Sequence, residues 1–249
     1  MAKTVNPALE AYIEENILPR YNNFDKAHQL NHVRAVVRQS MQLAELLDVN
    51  ADMVYAIAAY HDTGLCAGRE HHHEVSASII REDMNLRKWF TEEEICVMAD
   101  AAEDHRASAS HEPRTVYGRI VAEADRCIEP ASIVRRTVQY GLDHYPDLQK
   151  EEHFQRMMEH LHEKYGRNGY LKLWFKDSEN ARQLERLRNM MDNEGLMHEM
   201  FDDFYRKERA ASISYLEQGA RGKEQENTNC QSNPLAPCSS PLCPPLKDR

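Results

Sequence analysis

Along most of the chain apolar residues recur every three or four positions with charged residues between them, and no convincing stretch alternates strictly. This period predicts helices over about 6–17, 28–48, 51–62, 71–83, 92–104, 115–126, 130–142, 148–165 and 178–217. The expected fold class is therefore all-α. Local signals mark several of the boundaries. Thr91-Glu92-Glu93-Glu94 reads as a capping box, in which the threonine hydroxyl accepts from the Glu94 amide and the Glu94 side chain bonds back. Asp48-Val49-Asn50 separates two helices, and Pro113, Pro130 and Pro146 stand where helices begin or connections end.

The helical pattern stops near Gly219. Beyond it lies a polar segment holding five of the ten prolines, with almost nothing to bury. One all-α domain is expected over residues 1–218, with a core over about 25–140 and a helical extension over about 145–218, followed by a disordered tail over 219–249. In the extension, Leu184, Leu187, Met191, Met197, Met200 and Phe204 recur at helical spacing, which suits core packing or a homodimer face.

Composition removes several function classes. A net charge of −10 argues against holding nucleic acid by broad phosphate neutralisation, although a local basic pocket stays compatible with it. The longest uncharged apolar stretch, Met53 to Tyr60, is too short to span a bilayer, and the start Met-Ala-Lys-Thr-Val-Asn-Pro lacks a secretory apolar core. A soluble, cytoplasmic protein without a membrane partner is expected. Cys66, Cys96 and Cys127 in the body, and Cys230, Cys238 and Cys243 in the tail, show no Cys-x-x-Cys spacing and are expected as reduced thiols. There is no Gly-x-Ser-x-Gly elbow, no phosphate-cradling glycine loop and no dinucleotide fingerprint.

Candidate chemistry comes from polar residues that interrupt apolar faces. His32 shares a face with Val36, Leu43 and Leu47; His61 with Val54 and Ile57, and Asp62 follows it. His105 continues the row Ile95, Met98, Ala102, and Asp125 continues Tyr117, Val121. A lone inward histidine is ordinarily a hydrogen-bonded core residue, and a lone terminal aspartate is ordinarily solvated. Two inward carboxylates among several histidines are another matter, because a buried carboxylate costs several kcal/mol unless a cation or hydrogen bonds offset it. Imidazole nitrogen with carboxylate oxygen, and no thiolate, suits manganese, iron, cobalt, nickel or zinc.

In order and context, His32, then His61-Asp62, then Asp125 in Ala-Glu-Ala-Asp-Arg resembles the H…HD…D pattern of the HD-domain metal-dependent phosphohydrolase superfamily, over roughly residues 25–140. His72-His73-Glu74-Val75-Ser76 and Glu103-Asp104-His105 resemble the added histidines of members with two metals. The resemblance implies that His32, His61, Asp62 and Asp125 hold one divalent ion. It further implies that Asp62 bridges to a second ion on His72 and His105, and that an activated hydroxide attacks phosphorus. The histidine run leaves His73 as the fallback for His72, which is preferred because it stands four residues before Ser76. Arg106 and Arg126, each directly after a ligand, are expected beside Asp62 in the catalytic machinery, with Arg114, Arg119, Arg135 and Arg136 as weaker cationic candidates.

Asp104 and Glu103 are candidates to orient a ligand or to donate a proton. His153, His160 and His162 are expected to be solvated, and Lys164 to Tyr170 to form a plain turn or a lid. Leu65 stands where cyclic-dinucleotide-cleaving relatives carry lysine, and His105 is followed by Arg-Ala-Ser rather than Gly-Tyr-Pro. The expected substrate is thus another small, nucleotide-like phosphate ester or anhydride. Two other readings stand beside it: a di-iron oxygenase on the same scaffold, and a nucleotide-binding regulatory module without turnover.

Overall fold

The structure, a computed structural model, describes residues 3–25, 28–106 and 111–211. The expected tail over 219–249, with Cys230, Cys238 and Cys243, lies outside the described residues. Among the described residues ten α-helices follow one another: α1 (Pro7–Asn16), α2 (Leu30–Glu45), α3 (Ala51–Tyr60), α4 (His72–Glu82), α5 (Glu92–Glu103), α6 (Val116–Asp125), α7 (Pro130–His144), α8 (Lys150–Tyr165), α9 (Glu179–Met191) and α10 over 194–211. Short 3-10 turns occupy Leu18–Asn23, Thr63–Ala67 and Met84–Lys88, and the described residues contain no strand. The protein is all-α.

Helix α3 sets the layout. Every residue from Met53 to Tyr60 is buried, and a helix apolar on all sides needs neighbours on all sides. Helices α1, α2, α4, α5 and α6 supply them. Its start is fixed by Asn50, whose side chain accepts from the Asp52 amide at 3.0 Å. The capping box at Thr91 forms with both of its hydrogen bonds, Glu94 N to Thr91 Oγ1 at 3.2 Å and Thr91 N to Glu94 Oε2 at 2.9 Å. Pro130 opens α7, where Glu129 accepts from the Ala131 and Ser132 amides.

A second apolar cluster, with Val134, Phe154, Met157, Leu187 and Phe201 at its centre, is shared by α7, α8, α9 and α10. It is tied to α6 through Glu123 and Asn180. The fully buried Glu123 accepts from the Trp174 amide at 2.6 Å and the Phe175 amide at 2.9 Å. Asn180 donates to the Glu123 carbonyl and accepts from the Ile128 amide at 3.0 Å. The segment between α8 and α9 is thereby fastened beside the end of α6.

Two expectations change here. The single helix expected over 178–217 breaks at Asp192-Asn193, where Asn193 Oδ1 accepts from the Leu196 amide at 3.1 Å and starts a new helix. Short polar side chains offer the backbone an alternative to continuing, and apolar periodicity does not record that. His153 is buried at 2% exposure, not solvated, because it faces α7 at Gly141 and α10 at Tyr205, 5.6 Å between rings. His162 is exposed and His160 half-buried.

Candidate metal centre

Five helix ends converge on one point. His32 lies in the first turn of α2, His61 and Asp62 follow α3, His72 opens α4, His105 lies just past α5, and Asp125 closes α6. Their spacing in sequence reflects this: a polar group can enter an apolar core most readily where a helix ends and its own backbone needs partners. His61 Nδ1 faces the Ala58 carbonyl at 2.8 Å, His72 Nδ1 faces the Arg69 carbonyl at 2.8 Å, and His105 Nδ1 faces the Ala102 carbonyl at 2.5 Å. A carbonyl only accepts, so in all three rings Nδ1 carries the proton and Nε2 is turned toward the centre.

Asp62 stands in the middle, with its side chain 4% exposed. Its Oδ2 lies 3.2 Å from His61 Nε2 and 3.6 Å from His32 Nε2, while Oδ1 lies 3.4 Å from His105 Nε2 and 3.5 Å from His72 Nε2. Asp125 Oδ1 completes the first side, 3.2 Å from His32 Nε2 and 3.6 Å from His61 Nε2. Two sets of ligand atoms result, each within 4.8 Å of one another: His32, His61, Asp62 and Asp125; and Asp62, His72 and His105. The fallback His73 is not among them, and its Nε2 lies 3.7 Å from Glu74 Oε1.

The family model for the HD domain matches residues 30–129. These residues form an HD domain. Such domains are mostly metal-dependent hydrolases and typically bind divalent ions. No curated protein and no solved structure matched the chain. Within the described residues, no helix is long and apolar enough to cross a membrane.

The HD domain's own electrostatics show whether a cation fits. His72 Nε2 and His105 Nε2 face each other at 3.2 Å, and with both Nδ1 atoms protonated each presents a lone pair. Two lone pairs at that distance repel unless a positive charge lies between them. Among the described residues His32 Nε2 and His61 Nε2 are buried without a hydrogen-bond partner. Burial works against the charge on both rings, but Asp125 and Asp62 outweigh it, raising His32 to about 11 and His61 to about 10. Burial likewise opposes the charge on the two carboxylates, yet the facing histidines hold both well below the usual range. His72 moves the other way, lowered by burial and by its neighbour His105. The donor set thus fits divalent cations, with protons standing in for positive charge on the first side.

Other side chains support or surround this arrangement. The Tyr21 hydroxyl donates to the Ala59 carbonyl at 2.9 Å and accepts from the Asp62 amide at 3.3 Å; it is held well above its ordinary pKa by burial and by Asp62. Thr63 closes the α3 end by donating to the Tyr60 carbonyl at 2.7 Å. Asp104 does not reach a ligand histidine; it accepts from the Arg114 amide at 2.7 Å and from its Nε at 3.0 Å, and Glu103 pairs with the same guanidinium. The backbone carbonyls orient the histidines instead. Arg114 is accordingly occupied. Arg106 reaches the Glu70 carbonyl at 2.6 Å.

Arg126 lies on the wall of a cavity of about 1170 Å³ between the HD domain and the helical extension. Ala35 and Gln39 of α2, Cys127 and Ile128 beyond α6, and Lys164 of α8 line it as well. The Arg126 guanidinium stacks on Trp174, 4.8 Å from ring centre, and donates to the Ala122 carbonyl, while its buried Nε has no partner among the described residues. Lys164-Tyr170 forms a tight turn, with the Tyr170 amide donating to the Glu163 carbonyl at 3.1 Å and the Leu171 amide to that of Lys164 at 3.0 Å. Sequence reasoning missed Trp174 and Glu123, and read Lys164 only as the start of a turn or lid. Lys164 sits on an acidic amphipathic helix, and only the fold turns it toward the site.

Proposed function

We propose that this protein is a metal-dependent phosphohydrolase that cleaves a phosphoester or phosphoanhydride bond in a small nucleotide-like substrate. One observation carries the reading: Asp62 offers one oxygen to each of two histidine sets. His32, His61, Asp62 and Asp125 would hold one divalent ion, and His72 and His105 with the other Asp62 oxygen a second. Bound there, a pair of ions supplies Lewis-acid stabilisation and lowers the pKa of water.

The chain's own residues do the rest. Backbone carbonyls at Ala58, Arg69 and Ala102 fix the ring orientations, and Tyr21 holds the Asp62 backbone in place. Arg126 offers charge to a phosphoryl oxygen from the cavity wall. With Asp125 25% and His32 16% exposed, the first set is the more open side. The cavity that Arg126 lines has room for a nucleotide-sized molecule, and Tyr140 and Tyr145 line it as well.

Protein reconstituted with manganese or iron should release phosphate from a panel of nucleotides and generic phosphate esters. His61→Ala and Asp62→Ala should each abolish this. Activity that survives both substitutions, or oxygen consumption with iron and no phosphate release, would overturn the reading.

A further inference from the structure

The three carbonyls that orient the histidines of the centre are not equally supported. Ala58 lies inside α3 and Ala102 inside α5, so helical geometry already fixes the carbonyls that face His61 and His105. The Arg69 carbonyl, which accepts from His72 Nδ1 at 2.8 Å, has no such frame. It lies between the 3-10 turn Thr63–Ala67 and the first residue of α4. Gly68, at φ 100°, turns the chain into this connection. The carbonyl that aims His72 is thus held from outside its own segment or not at all.

Two arginines hold it. Arg69 Nη2 donates to Asp25 Oδ2 at 2.7 Å, and Asp25 Oδ1 lies 2.9 Å from Nδ1 of His28, whose ring packs edge-on against His32, 5.6 Å between centres. One residue further on, Arg106 Nη1 donates to the Glu70 carbonyl at 2.6 Å. A peptide unit is planar, so the Arg69 carbonyl can swing only through the dihedrals at Arg69 and Glu70. Asp25 anchors the first of these residues and Arg106 the second, and the carbonyl between them is fixed from both sides. Arg106 directly follows His105, so the chain just past α5 carries one ligand of the second set and supports the other.

We infer that Arg106 is a positioning residue: through the Glu70 carbonyl it steadies the Arg69 carbonyl, which keeps His72 Nε2 turned toward Asp62 and so sets the affinity for the second ion. This rests on the two-ion reading above and names what holds the second half of that centre together. Arg106 then acts through the backbone, whereas a phosphate-binding arginine would act on the substrate. Charge alone predicts the opposite effect on the metal. A guanidinium beside a cation site repels the cation, so its removal by itself should tighten binding, while losing the support should loosen it. The sign of the change therefore separates the two roles.

The test is a manganese titration of the full-length protein by calorimetry, for wild type, Arg106→Met, Arg106→Lys and the control Arg81→Met, with the second ion identified as the step that His105→Ala removes. Nitrogen NMR of the His72 ring in the metal-free proteins, at mildly alkaline pH, accompanies it. Arg106→Met should weaken the second ion about tenfold and leave the first within about twofold, and Arg106→Lys, which keeps a donor, should recover most of the loss. In wild type the His72 ring should carry its proton on Nδ1, and Arg106→Met should move part of the population to Nε2. Arg81→Met removes an exposed ion pair with Asp100 between the same two helices, α4 and α5, and should change neither readout. A second-ion affinity that holds or rises in Arg106→Met, an unchanged His72 tautomer, or equal weakening of both ions would each overturn the inference. A wild type that takes up a single ion would instead count against the two-ion reading, and the His72 tautomer in the metal-free protein then decides for or against the Arg106 support.

Discussion

Because the two oxygens of Asp62 face different histidine pairs, removing its charge should empty both halves of the centre together. Asp62→Asn is expected to bind neither ion, His105→Ala to keep only the one on the Asp125 side, and Asp125→Asn to lose that one first. Elemental analysis of the purified variants reads this directly, and hydrolysis by each should fall by roughly 100-fold or more. A charge balance also follows for metal loading. In the metal-free chain His32 (about 11) and His61 (about 10) are imidazolium at neutral pH, so an incoming ion must displace their protons. Affinity should therefore strengthen as pH rises, with protons released on binding, which calorimetry in buffers of different ionisation enthalpy measures. The stability of the metal-free protein runs in the opposite direction. A histidine raised on folding stabilises fully below its unfolded value, and that contribution is lost as pH rises through about 10 to about 11. Metal-free protein should then melt lower at alkaline pH, and a flat melting profile across that range would contradict the assigned charges.

At the scale of elements, the centre depends on how closely the turn after α3 approaches the start of α4. A Cβ built on Gly64 would stand 2.0 Å from the His72 carbonyl oxygen and 2.6 Å from the Ser76 nitrogen, both backbone atoms that cannot swing aside. The Gly64 amide also donates to Ser76 Oγ at 2.9 Å, and the serine side chain is buried. Gly64→Ala should push α4 away and carry His72 with it. We expect a loss of about 1–3 kcal/mol in stability, read by denaturant unfolding, and loss of the second ion ahead of the first. Thr91→Ala makes the matching control: it removes the α5 cap at a cost of about 1 kcal/mol, yet it sits at the far end of α5 from His105, so metal content should not change. Helix ends rather than helix faces thus decide this site. A histidine at a helix C-terminus can give Nδ1–H to the carbonyl three residues back and keep Nε2 for the centre, as His61 and His105 do.

Across the whole molecule, the sequence showed the helices and the polar residues that break their apolar faces, since both leave a periodic trace. His32, His61, Asp62, His105 and Asp125 stood out for that reason, whereas choosing His72 over His73 needed the spacing to Ser76, and the structure brings the His72 ring to Asp62. What left no trace were contacts between distant segments. Glu123 precedes Asp125 by two positions and drew no expectation of its own, yet it is fully buried and takes the Trp174 and Phe175 amides. Likewise, Arg114 read as a phosphate-binding cation because its partners Asp104 and Glu103 lie ten and eleven residues away, beyond any helical period. Glu123 links the HD domain to the extension, so its removal should act on both. Glu123→Ala leaves two half-buried amides without that acceptor, at a cost of about 1–3 kcal/mol together. The segment carrying Trp174 should then come away from α6, and Arg126 should lose the ring that holds its guanidinium in plane. Limited proteolysis should cut between α8 and α9 faster than in wild type, and the emission of Trp174, read in a Trp89→Phe background, should shift to the red. The His/Asp ligands sit on α2 to α6 and their connections, outside that segment, so metal content should stay at the wild-type level while KM for an anhydride substrate rises. Loss of metal together with the segment would mean that the extension holds up the centre itself rather than the cavity beside it.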